Sequence, residues 1–159
     1  MQKMGKSEKI IFLWCVLLDK SKKTKFIKME INENIKSILE HWEKINNKIS
    51  SNILKALRFL SRNKPDLLYL HGSCTCLSLK SPNDIDFIYI SRLFNDFTLF
   101  QQLMYIQNFF SNKAFKFPLD VIPYSLEEYY SKNRFDFDTY EDLFYPNKLI
   151  LVYKNERKR

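Results

Sequence analysis

The stretch Leu68-Tyr69-Leu70-His71-Gly72-Ser73-Cys74-Thr75-Cys76-Leu77-Ser78-Leu79-Lys80-Ser81-Pro82-Asn83-Asp84-Ile85-Asp86-Phe87-Ile88-Tyr89-Ile90 decides the fold of this chain. It begins in an apolar run, Leu67–Leu70, that reads as a short strand and turns at Gly72-Ser73, where a short helix is expected to start. Ser81-Pro82-Asn83 makes a second turn, and Ile85–Ile90 reads as another strand. Residues two apart in a strand share a face, so Asp84 and Asp86 project together while Ile85 faces the core. Two carboxylates that close repel, and one tends to hold a proton unless a cation lies between them. The plain alternative is a turn carrying two solvated aspartates. Gly72-Ser73 is open in the same way. Free N–H groups at a helix start bind phosphate, glycine lets it approach, and the serine hydroxyl adds a donor, yet most such turns are only turns.

Working outward, a third acid lies in a further apolar strand, Phe117-Pro118-Leu119-Asp120-Val121-Ile122. If that strand neighbours the first pair, three carboxylates meet at one sheet end, a donor set suited to magnesium. Upstream, Ile35, Ile38, Leu39, Trp42, Ile45, Ile49, Ile53, Leu57 and Leu60 recur at spacings of three and four, which predicts helix over 33–61. Asn46–Asn52 is poor in helix formers and is where that helix would split. Downstream, the pattern predicts a helix over 95–111, a strand Phe115–Ile122, a helix near 125–132 and a last strand Leu149–Tyr153. Strands separated by helices argue for an α/β or α+β sandwich around a mixed sheet.

Composition narrows the classes. The chain has 159 residues, 45% hydrophobic and 28% charged, which suits one globular domain with a small appendage and excludes a disordered or collagen-like chain. It has 2 glycines, and with Gly5 in the lysine-rich start, Gly72 is the single candidate for close backbone approach in the folded body. The net charge of +8 is terminal: residues 1–28 carry +6 and residues 154–159 carry +3, so the stretch between them is close to neutral. Solvated basic tails are the simpler reading, with contact to nucleic acid or an acidic protein as the other. Cys15, Cys74 and Cys76 cannot all pair, and Cys74-Thr75-Cys76 lacks the second ligand pair that a zinc site needs. Ile10–Leu18 is an apolar run too short to span a bilayer, and no small-residue cleavage site follows it. It reads as a buried strand returning through Lys25–Ile31 as a hairpin, so a cytoplasmic protein without a membrane span is expected. Phe135-Asp136-Phe137-Asp138 repeats the acid spacing, but no Gly-Ser precedes it, and it reads as a loop edge. His71 reads as a strand-end residue and His41 as an ordinary helix residue.

Taken together, Gly72-Ser73, the ten residues Cys74 to Asn83, Asp84-Ile85-Asp86 and Leu119-Asp120-Val121 resemble the nucleotidyltransferases of the polymerase-beta superfamily, its minimal single-domain members above all. The Gly-Ser to Asp-Ile-Asp spacing is that of the small adenylyl-transferring antitoxins that modify HEPN-domain toxins. Leu149–Tyr153 resembles the short closing strand of minimal members, and the resemblance covers roughly residues 50–153. It implies an α+β fold, with a mixed central sheet flanked by helices, divided into an N-terminal extension 1–49, a nucleotidyltransferase domain 50–153 and a basic tail 154–159. It further implies transfer of a nucleoside monophosphate, AMP from ATP, to a protein hydroxyl, with a HEPN-type toxin as partner. Two Mg²⁺ ions would be held by Asp84 and Asp86, with Asp120 completing one shell. Gly72 and Ser73 would seat the terminal phosphates. Members often carry Arg and a second Gly after Gly-Ser; Cys74-Thr75-Cys76-Leu77 stands here instead, with Lys80 replacing part of the charge. That departure motivates a rival, an inactive fold kept as a binding or assembly subunit. A small-molecule acceptor such as an aminoglycoside, and an RNA-contacting role for the basic tails, are the remaining readings.

Overall fold

The computed structural model describes residues 33–78, 81–110, 118–131 and 149–155. The Ile10–Leu18 run, its expected return strand Lys25–Ile31, Cys15, Lys80, the first residues of the expected strand Phe115–Ile122 and the Phe135–Asp138 motif lie outside the described residues.

Two helices open the described chain, α1 (Glu33–Ile45) and α2 (Asn47–Arg62). One residue separates them. The Asn46 N–H donates to Trp42 O at 2.7 Å, closing α1, while its side-chain oxygen accepts from Lys48 N at 3.1 Å and caps α2. The break therefore falls at the start of the helix-poor Asn46–Asn52 stretch, and the rest of that stretch is helical. Ile49, Ile53, Ala56, Leu57 and Leu60 are buried along α2, and that burial outweighs the weak propensities of Ser50, Ser51 and Asn52. The Ser50 hydroxyl is satisfied meanwhile, donating to Glu43 Oε2 at 2.6 Å.

Strand β1 (Leu67–His71) leads through a tight 3-10 turn (Gly72–Thr75) to β2 (Ile85–Ser91). A second 3-10 turn (Arg92–Phe94) and α3 (Leu99–Phe110) follow, then β3 (Leu119–Ser125), α4 (Leu126–Ser131) and β4 (Ile150–Lys154). The sheet order is β3-β2-β1-β4, with β1 antiparallel to β2 and β4, and β2 parallel to β3. The parallel pair needs a crossover, which α3 supplies. The fold is thus α+β, a four-stranded mixed sheet flanked by helices.

Side-chain alternation sorts the two faces. Leu68, Leu70, Phe87, Tyr89 and Val121 enter the main core with Ile35 and Trp42 of α1, Ile53 and Leu57 of α2, and Ile106 of α3. The helix α1 is therefore part of the same core as the sheet. The other face carries a smaller cluster, Leu67, Ile88, Ile90 and Tyr124, under Leu126 and Tyr129 of α4. Tyr69 and Tyr129 share a hydrogen bond of 2.7 Å at its border. Beyond that border this face turns polar, and the acids lie there.

Several boundaries differ from the sequence reading. Helix α3 starts at Leu99 rather than 95, because Thr98 and Gln101 cap each other's backbone: Thr98 N donates to Gln101 Oε1 at 2.8 Å, and Gln101 N to Thr98 Oγ1 at 3.3 Å. Among the described residues β3 lies outermost in the sheet, beside β2, and it runs on through Pro123 to Ser125, a place where a strand proline is tolerated. Strand β4 runs one residue later than expected, to Lys154. No helix among the described residues is long and apolar enough to cross a membrane.

Candidate functional site

The sheet register builds the site. Asp86 of β2 pairs with His71 across the antiparallel ladder and with Asp120 across the parallel one. Directly paired residues share a face. His71, Asp86 and Asp120 therefore form a row across β1, β2 and β3, with the Asp84 carboxyl near enough to raise that of Asp86. The row sits at the end of β1 and the start of β2 and β3, where the Gly72 turn arrives. Asp120 is exposed, Asp84 and Asp86 are half-buried, and His71 is buried.

Crowding has an electrostatic consequence. The Asp86 carboxyl is pushed up to about 7, by burial first, then by the charges of Asp84 and Asp120 and the hydrogen bond to Asp84. Burial holds His71 below the usual histidine range, although Asp120 and Asp84 pull the other way, so the imidazole is neutral at pH 7.

Glycine is required at position 72. Its φ is +75°, and a Cβ there would overlap Asp86 Oδ2 and stand 3.0 Å from Asp86 Cγ. The Asp86 carboxylate thus lies directly against the backbone of the turn. Ser73 is buried, and its hydroxyl accepts from Asn83 N at 3.3 Å and donates to Asp84 O at 3.4 Å. Its bonds in this structure tether the turn to the residues ahead of β2. The Cys74 thiol donates to the same Asp84 carbonyl at 3.1 Å, and burial, reinforced by Asp86 and Asp84, pushes it up to about 12. It therefore stays a protonated donor rather than a nucleophile. From the other side, Trp42 Nε1 donates to Cys74 O at 2.7 Å.

Among the described residues, no three His, Cys, Asp or Glu side chains close around one point as a finished cation cage. The donor chemistry nevertheless fits a hard divalent ion. The acids offer only carboxylate oxygens, and a cation between them would offset both the burial of Asp86 and the repulsion from Asp84 and Asp120 that raise it. Neither His71 nor Trp42 carries a local sequence signal for its place here. His71 joins the acids through strand register, and Trp42 through a contact 32 residues away in the chain.

No family model matches the chain, and no curated protein matches it. The chain is similar to a crystal structure from Sulfolobus solfataricus described as "a putative nucleotidyltransferase", at 16% identity over 81% of this chain and 95% of the other. The TM-score is 0.43, an overlap too loose to argue from.

Proposed function

We propose that the chain is a metal-dependent nucleotidyltransferase that moves a nucleoside monophosphate, AMP from ATP, onto a hydroxyl of a protein acceptor. One observation carries the reading: Asp86 stands in register with Asp120, lies two residues from Asp84, and rests against a glycine turn at one sheet end. Asp84 and Asp86 would hold the metal, with Asp120 contributing from the edge strand. Mg²⁺ bound there would neutralise the triphosphate and the departing pyrophosphate. The chain's own part is positioning. Gly72 lets the turn lie directly against the Asp86 carboxyl, and Asp120, the most exposed acid of the row, would take the proton of the incoming hydroxyl. The resemblance to adenylyl-transferring antitoxins favours a protein acceptor, a HEPN-type toxin, over a small molecule.

The test is transfer of label from ATP marked at the α-phosphate, with Mg²⁺, to a HEPN-domain protein and to an aminoglycoside panel. Asp86→Asn should lower transfer on the order of 10³-fold or more, since a metal ligand lost from the reacting centre removes several kcal/mol of transition-state stabilisation. Transfer unchanged in that variant would sink the mechanism. A second reading, an inactive fold kept as a binding or assembly subunit, is favoured by the open carboxylate set and by Cys74-Thr75-Cys76 in place of Arg and Gly. It takes over if the wild type shows no Mg²⁺-dependent ATP binding.

A further inference from the structure

Helix α1 sends one polar group to the site. Trp42 is fully buried, and its indole N–H donates to Cys74 O at 2.7 Å. Cys74 in turn donates its thiol to Asp84 O at 3.1 Å, and Ser73 Oγ donates to the same carbonyl. The turn that these residues form rests on Asp86 through Gly72. Two hydrogen bonds thus run from a helix in the main core to the backbone of the first acid, and the turn between them bears on the second. A buried indole N–H is costly to leave unmet, which keeps this line taut. A helix packed into the core also gives a fixed point of attachment.

We propose that Trp42 is a positioning residue for the carboxylate pair: acting through Cys74, it sets where Asp84 stands relative to Asp86. The functional consequence rests on the nucleotidyltransferase reading, because the placement of the acids then sets the affinity for nucleotide with metal. A misplacement of the order of 1 Å is enough to matter in such a site. The structural half is independent of that reading. A Trp42 that only filled space would loosen the core around it on substitution, and removing the Cys74 thiol alone would not reproduce the effect.

Trp42→Phe keeps a ring and removes the N–H. Amide hydrogen exchange should quicken on the order of tenfold at residues 73–76 and 84–86, with α2 and β4 unchanged. Affinity for ATP with Mg²⁺ should fall on the order of tenfold. Cys74→Ser, which retains a donor, should bind ATP as the wild type does, whereas Cys74→Ala should match Trp42→Phe. Unchanged exchange at the turn and at the acids, or Cys74→Ala binding ATP as tightly as the wild type, overturns the proposal. If Trp42→Phe does not fold, the Cys74 pair decides by the same exchange measurement. If the wild type binds no ATP with Mg²⁺, the nucleotide reading fails, while the exchange data still decide the positioning.

Discussion

Asp86 holds its proton more tightly in the folded chain than an ordinary aspartate does, and the sign of that shift has a measurable result. The value moves from 3.8 to about 7, with burial the leading cause. Between those values the native state binds more protons than the unfolded one, so this group's contribution falls as pH rises from about 4 to about 7 and stays low above that. In metal-free buffer at pH 8, Asp86→Asn should therefore be more stable than the wild type. The gain should be about 1–2 kcal/mol, less than full conversion of the shift because the carboxyl is half exposed. Denaturant titrations at pH 5 and pH 8 check this: the gap between the two proteins should narrow at the acid end. A variant less stable than the wild type at pH 8 would mean that Asp86 is a structural acceptor and not a crowded carboxylate. The same residue shows how far sequence alone could go. Asp84 and Asp86 are legible as a pair because strand alternation is a local property. The row His71–Asp86–Asp120 depends on register between strands far apart in sequence, which local pattern does not contain.

At the scale of elements, the caps explain where the sequence reading and the structure part. Thr98-x-x-Gln101 is a reciprocal cap readable from the letters, yet Phe94 and Phe97, three apart, mask it by carrying the helical period back toward residue 95. Phe94 is buried in a 3-10 turn instead, so its apolar character serves the core without belonging to α3. Thr98→Ala should remove one of the two bonds and cost about 1 kcal/mol. In a chain of this size that lowers the melting temperature by about 2–4 °C, and Thr98→Ser should restore most of it. An unchanged melting temperature would show that Gln101 and the packing of Ile106 define the helix start unaided. Strands β1 and β2 were legible from composition because both are nearly continuous apolar runs. Strand β3 runs past its expected end at Ile122 because Pro123 reads as a strand breaker until the sheet order of the described residues sets that strand outside β2.

Over the whole molecule, the two sheet faces divide the labour. Helices α1, α2 and α3 load one face into a continuous core, while the opposite face is packed at one end by α4 and polar at the other. The acids thus stand on a rigid platform, and binding there should stabilise the whole fold by an amount that grows with the logarithm of ligand concentration above the dissociation constant. Protons and metal compete for the same oxygens, so the effect must depend on pH. With Mg²⁺ at about ten times its dissociation constant, stabilisation should be about 1.4 kcal/mol at pH 8, a rise of about 3–6 °C. At pH 5, where Asp86 is protonated, the rise should shrink markedly at the same Mg²⁺ concentration. In Asp86→Asn it should be small at both pH values. Equal shifts at pH 5 and pH 8, or a full shift in the variant, would place the ion elsewhere on the chain, and the carboxylate row would then be a feature of the sheet end without a cation to hold.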